Sequence, residues 1–382
     1  MATPYDVIVI GGGIAGCGTA LYLARDGARV VLVERDRLGA GASEANAGSL
    51  HAQIPPDPFR QYGLGWAARF QSAVRLFNAS LAMWRGLEAD LGADLEIRFG
   101  GGLLVGSTDA ELREIEQKVA NERAAGLTVE LLNAADLRRI APYLSDRALG
   151  GAFCAEEGKA NPLLVAPAFA AAARAAGVEI HARAGTAAIA REQDGYAVRS
   201  GDLTLRAPRL VIAAGMESGT LAAQLGVQLA IQAFPIQVSV TEPAAPLLPH
   251  LVYCAGEKLT MKQAKVGSLL IGGGWPARLD ARGRPIVDIA SLAANLKLAV
   301  DVVPAVGSLN LLRTWAAWVN GTEDWMPILG ALPGAPGAFI NYVPWMGFTG
   351  GPAAARGIAD MVLGRPPSLD VPFADFAPAL AA

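Results

Sequence analysis

Gly11-Gly12-Gly13-Ile14-Ala15-Gly16 sets glycines at the first, third and sixth positions of a short run, and an acid, Glu34, follows 18 residues after Gly16. Those types at that spacing bind a dinucleotide. Gly11 permits a tight turn, Gly13 lets backbone amides approach a pyrophosphate, and Gly16 lets a helix pack closely on a strand. Glu34 can accept protons from both hydroxyls of a ribose. An acid there disfavours the 2′-phosphate of NADP but does not separate FAD from NAD. The elements that must position these residues are legible around them. Val7-Ile8-Val9-Ile10 is a short β-branched run of the kind that forms a buried parallel strand, Thr19 to Arg25 is helical in pattern and stops at Gly27, and Val30-Val31-Leu32-Val33 is a second strand ending in Glu34. The helix N-terminus then presents its partial positive charge to the phosphates.

A loop of small residues follows, Gly39 through Gly48, then Ser49-Leu50-His51, in which backbone can approach a planar ring and Ser43 and Asn46 can bond phosphate or flavin edges. At these residues the chain resembles the D-amino-acid oxidase family of FAD oxidoreductases, where a GxSxxNxG loop runs under the flavin. The resemblance continues in Arg209 to Ser218, in Leu312 to Gly330, which is similar to the family's RxWxG…GTxDxxPxIG segment, and in Trp345-Met346-Gly347-Phe348-Thr349-Gly350-Gly351-Pro352 before a final helix. It implies noncovalent FAD held by Gly11, Gly13, Ile14, Ala15, Gly16, Glu34, Arg35, Ala42, Ser43, Asn46, Ala47, Gly48, Ser49, Leu50, Ala187, Ala214, Gly215, Gly347, Phe348, Thr349 and Gly350. No cysteine lies after Cys254 to make the covalent flavin link known in sarcosine oxidases. Short stretches (Asn46 to His51, Leu259 to Gln263, Leu270 to Pro276) look like the β subunits of heteromeric dehydrogenases, the group of opine oxidase, hydroxyproline dehydrogenase and hydrogen cyanide synthase.

The implied reaction is oxidation of the C–N bond of an amino or imino acid by hydride transfer to flavin N5, in a protein that passes electrons to a flavin or iron–sulfur partner. Two rivals stay open: a stand-alone D-amino-acid dehydrogenase or oxidase, and a noncatalytic FAD scaffold. Simpler members of the family clamp the substrate carboxylate with an arginine at a position filled here by Val319, so the clamp moves to another cation, with Arg313, Lys258 and Lys262 as candidates. Monomeric sarcosine oxidases carry an oxygen-activating lysine in the strand written here as Ser268 to Gly272, which is apolar at that point. This favours a dehydrogenase. The expected catalytic set is His51, Lys262 and Arg313. Lys262 and Gln263 must face opposite ways on one strand, and His181 and His250 are expected at the surface or in turns. Trp315, Trp318, Tyr342 and Trp345 are either pocket or core.

Of 382 residues, 52% are hydrophobic and 18% charged, an excess that raises the question of a membrane. The long uncharged stretches are broken by prolines, glycines and glutamines, and no basic leader precedes Val7, so neither a spanning helix nor an export signal is expected. A net charge of -3 favours no nucleic acid, and three scattered cysteines form no metal cluster. The expected place is the cytoplasm, with contact to the inner membrane only through a partner or a quinone acceptor. The expected fold is α/β, a Rossmann-type FAD-binding domain (1–75, 145–220, 310–382) interleaved with an α+β substrate domain (76–144, 221–309) whose sheet is mainly antiparallel. Helices are expected over Phe77 to Leu91, Asp109 to Ala125 and Pro162 to Ala176, and roof strands over Ala233 to Val240, Leu259 to Gln263 and Ser268 to Gly272.

Overall fold

A computed structural model describes residues 5–379; the segment ends 1–4 and 380–382 lie outside the described residues. The first strand, Val7–Ile10, sits inside a six-stranded sheet ordered Ile328–Ala331, Ala338–Tyr342, Arg209–Ile212, Val7–Ile10, Val30–Val33, Glu179–His181. All pairs are parallel except the first, which is antiparallel. The strand alternation explains why every residue of Val7–Ile10 is apolar. Val7 and Val9 pack into the cluster of the helices Ile14–Arg25 and Gly347–Val362, while Ile8 and Ile10 pack against Tyr196, Val198 and Leu205 of a three-stranded antiparallel meander on the other face. Both faces of the sheet are covered, so no polar position is left.

The second sheet has eight strands, in the order Leu311–Gly321, Gln232–Pro243, Ser268–Gly272, Thr260–Gln263, Leu251–Cys254, Gly102–Gly106, Gly150–Cys154, Val129–Asn133. One pair, Leu251–Cys254 with Gly102–Gly106, is parallel and the rest are antiparallel. Gly150–Cys154 and Leu311–Gly321, which the boundaries 145–220 and 310–382 put with the cofactor sheet, thus pair within this second sheet. The chain passes between the two sheets several times.

Helices Asp109–Ala124 and Pro162–Ala175 start where their caps dictate: Thr108 Oγ1 accepts from Glu111 N, and Asn161 Oδ1 accepts from Leu163 N. The helix expected over Phe77 to Leu91 instead runs Pro56–Leu91, bent at Gly63, whose φ is 69°. Two glycines, Gly63 and Gly65, hide its start in the sequence, yet Trp66, Phe70, Phe77, Leu81 and Trp84 form one buried stripe. Among the described residues no helix is long and apolar enough to cross a membrane.

Candidate functional site

The glycine turn works by contact. A Cβ on Gly16 would stand 1.9 Å from Gly11 O, one on Gly11 would stand 2.3 Å from Ala213 O, and Gly11 has φ 115°. Helix Ile14–Arg25 can therefore rest on the turn only with glycine at these positions. Ser43 Oγ accepts from Ile14 N at 3.0 Å, tying the small-residue loop to the helix N-terminus. Glu34 accepts from Gly12 N at 2.6 Å and from Asp36 N at 2.7 Å, which leaves lone pairs on both oxygens for ribose hydroxyls. Asn46 is spent inside its own loop: its amide donates to Ala42 O and Ser43 O, and its Oδ1 accepts from Gly48 N. It shapes the turn, where Gly48 takes φ 76°.

These residues open on a cleft of about 500 Å³. Of the expected cofactor contacts, Gly11, Gly13, Ile14, Ala15, Glu34, Arg35, Ala42, Ser43, Asn46, Ala187, Ala214, Gly215, Gly347 and Phe348 line it. Gly16 lies beneath the turn. Ala47, Gly48, Ser49, Leu50, Thr349 and Gly350 are outside the lining. Trp315, Trp318, Tyr342 and Trp345 all line the cleft, so they are pocket residues as well as packing ones. The roof comes from the second sheet: Ile236, Val238 and Trp315 through Asn320 line the cleft, with Ile236 paired to Ala317 and Val238 to Trp315. Sequence reading misses Ile236 and Val238, which carry no polar signal. Phe234, Trp345 and Trp325 stack in series, with ring centroids 4.8 and 4.4 Å apart. Trp325 and Trp345 both hold positive φ, 66° and 52°, a backbone cost that the stack must offset.

The fit of a flavin dinucleotide can be judged from what the cleft leaves unsatisfied. Asn341 Oδ1 and Trp345 Nε1 are buried without a partner, and both residues line the cleft. One acceptor and one donor lacking partners beside a glycine cradle and a ribose-accepting acid suit a ligand carrying both kinds of edge along its length. The donor set fits FAD.

Beyond Phe348 lies a strap, 49–54, in which the amides of the last four residues are each taken by a buried side chain. His51 N donates to Thr349 Oγ1, and Thr349 Oγ1 donates in turn to Ser49 O. Ala52 N and Gln53 N donate to Glu157 at 2.7 and 2.8 Å, and Ile54 N donates to Glu122 at 2.7 Å. Glu157 also accepts from Tyr253 OH, and the Tyr253 ring lies 5.8 Å from His51. Lys262 reaches the strap from the roof and donates to Ser49 Oγ. Gln263 turns the other way and bonds Leu247 N and Leu248 N, as the two-residue alternation requires. Burial and the nearby Lys262 ammonium push His51 down to about 3, so it is a neutral ring. Burial and Lys159 push Lys262 down to about 7.

His51 and Lys262 are thus brought together, and Arg313 is not. Lys262 pairs with Leu270, Leu270 with Val240 and Val240 with Arg313, so Arg313 stands three strands away, about 14 Å at the usual interstrand spacing. It is exposed, 5.8 Å from the Trp315 ring. Lys258 is engaged by Asp57 at 3.2 Å. His250 is buried, not superficial: its ring bonds Tyr143 OH at 2.6 Å and packs on Phe153. His181, paired with Glu179, is partly exposed. Among the described residues no group of side chains could hold a metal ion.

Comparison with known proteins agrees with this geometry. The model of the DAO family, FAD dependent oxidoreductase, matches residues 6–361. The B subunit of opine oxidase from Rhizobium meliloti is 27% identical, over 88% of this chain and 87% of its own. The beta subunit of sarcosine oxidase from Arthrobacter sp is 25% identical, over 94% of this chain and 87% of its own. Among solved structures, glycine oxidase from Geobacillus kaustophilus superposes with a TM-score of 0.84 at 24% identity, covering 100% of both chains.

Proposed function

The chain belongs to the DAO family of FAD-dependent oxidoreductases, and on that premise we propose that it oxidises the C–N bond of a secondary amino or imino acid, as the catalytic member of a heteromeric dehydrogenase. Bound FAD would supply the chemistry by accepting two electrons as hydride from the carbon next to nitrogen. The observation that carries the reading is the polarity of the roof. Its cleft end is apolar through Ile236, Ala317 and Val319, and its one buried cation, Lys262, stands at the other end beside His51. Lys262 would hold the substrate carboxylate, and the Val319 end would receive the apolar part of the molecule.

The chain's own residues position rather than react. Thr349, Glu157 and Glu122 fix the strap, the strap fixes His51 and Ser49, and Ser49 orients Lys262. Neutral His51 can accept or donate a hydrogen bond to the amine without repelling it. The likeness to two chains that are themselves named as subunits supports a heteromeric role, and the apolar strand Ser268–Gly272 supports an acceptor other than oxygen. The purified chain should show bleaching of its visible flavin absorbance with secondary amino acids under anaerobic conditions, and turn over with an artificial electron acceptor far faster than with oxygen. Fast peroxide formation by the lone chain would remove the partner-dependent half of the proposal; no bleaching with any amine would remove the whole.

A further inference from the structure

Two loops leave the parallel sheet on either side of its first strand, and each sends one charged side chain towards the other. Val7–Ile10 is flanked by Val30–Val33 and by Arg209–Ile212, with Val33, Ile10 and Ile212 in register at the strand ends. The loop after Val33 carries Glu34 and Arg35, and the loop after Ile212 carries the turn Gly215–Glu217. Two interstrand spacings, about 10 Å, separate those loops. Arg35 Nη1 and Glu217 Oε1 nevertheless stand 3.2 Å apart, and both residues line the cleft. The ion pair therefore runs across the end of Val7–Ile10, in front of the glycine turn and beside the ribose-accepting Glu34. Its two backbones are anchored: Gly185 N donates to Arg35 O, Glu217 N donates to Ala214 O, and Ala214 N donates to buried Ser218 Oγ. Its side chains, 55% and 37% exposed, are free to swing. Arg37, two positions along, pairs instead with Glu44, and neither of those lines the cleft.

We propose that the Arg35–Glu217 pair is a gate on cofactor exchange, which must part before FAD passes into or out of the cleft. This rests on the family's cofactor and not on which amine is oxidised. An exposed ion pair contributes little to stability, so this one does not set affinity. It sets rate. The same pair parts for passage in either direction, so its opening cost enters the barriers to association and to release alike, and cancels in their ratio. A bar of this kind slows exchange of the cofactor without tightening its hold.

Flavin fluorescence gives both rates, release on diluting the holoenzyme and entry on mixing FAD with the full chain stripped of it. Arg35→Gln and Glu217→Gln change the net charge in opposite directions, so electrostatic steering of the cofactor's pyrophosphate alone would move their entry rates apart. The gate instead has both variants speed both entry and release, about threefold at low salt, with Kd kept within about twofold. The gap from wild type should close as salt screens the pair. The charge swap, Arg35→Glu together with Glu217→Arg, should return both rates to near the wild-type values. Glu192→Gln, which breaks a similarly exposed pair with Arg206 on the meander, should change neither. Entry rates that move apart, release that quickens without entry, rates unchanged in both variants, or an equal effect of Glu192→Gln would overturn the gate. The measurement needs no substrate, so its failure leaves the amine-oxidation reading standing, and anaerobic bleaching tests that reading separately.

Discussion

Lys262 imposes a stability cost that depends on pH in a direction opposite to most buried lysines that gain a carboxylate. Its folded pKa is held down to about 7, by burial first and Lys159 second, against an ordinary 10.5. Below about pH 7 the ammonium is charged in both states and the burial cost is complete. Between about 7 and 10.5 the folded chain has released a proton that the unfolded chain still holds, so the contribution to stability improves as pH rises. Lys262→Met should therefore raise the Tm of the FAD-free protein at pH 6, by the equivalent of up to about 5 kcal/mol, and the gain should shrink towards pH 10. Thermal melts across that range check it; a gain that does not vary with pH would mean that Lys262 keeps its ordinary pKa in the folded chain. The same variant should lose affinity for carboxylate ligands, most of all below about pH 7 where Lys262 carries its charge, which separates binding from folding. Sequence alone points to Lys262 and His51 because they follow motif-bearing segments. It cannot point to Glu157, Tyr253 or Lys159, which meet the strap only through strands about a hundred positions or more away.

At the scale of elements, the glycine turn, its two strands and its helix are all legible, because each rests on local sterics and periodicity. The flavin strap and the roof are only partly so. The motif around Thr349 suggests a cofactor contact, yet here it joins two elements: its hydroxyl accepts from His51 N at 3.0 Å and donates to Ser49 O at 3.2 Å, while its carbonyl accepts from Ser80 and Trp84. It pins the strap to the first turn of helix Gly347–Val362 and that helix to the long helix Pro56–Leu91. Thr349→Val keeps the shape and removes both hydroxyl bonds, leaving a buried amide and carbonyl unpaired. A loss of about 2–3 kcal/mol is expected, read as a lower Tm and as lower FAD occupancy after gel filtration. Thr349→Ser should restore most of both. If valine retains full FAD, the strap is held by Glu157 and Glu122 alone. Arg313 shows the limit of motif reading: its segment matches, but only the strand order reveals that it lies three strands from Lys262.

For the whole molecule, the question is whether the two sheets are one cooperative unit. The cleft is lined on one side by the turns of the parallel sheet, Gly11 to Ala15 and Ala213 to Gly215, and on the other by the roof, Ile236, Val238 and Val319. Glycine and alanine recur in these facing walls, at Gly11, Gly12, Gly13, Ala213, Ala214 and Ala317, where a bound cofactor would cover them. Strand Leu311–Gly321 belongs to the roof yet lines the cleft along Trp315 to Asn320, where a Cβ on Gly215 would stand 3.2 Å from the Asn320 amide. A ligand filling the cleft therefore touches both sheets and binds only when both are folded. Its stabilisation follows mass action, about 4 kcal/mol at a thousandfold excess over Kd. Removing FAD should lower the melting temperature in one transition, with amide exchange rising in both the parallel sheet and the roof strands. Two separate transitions, with the parallel sheet alone responding to FAD, would show that the roof folds independently and that the cleft is a contact between finished domains.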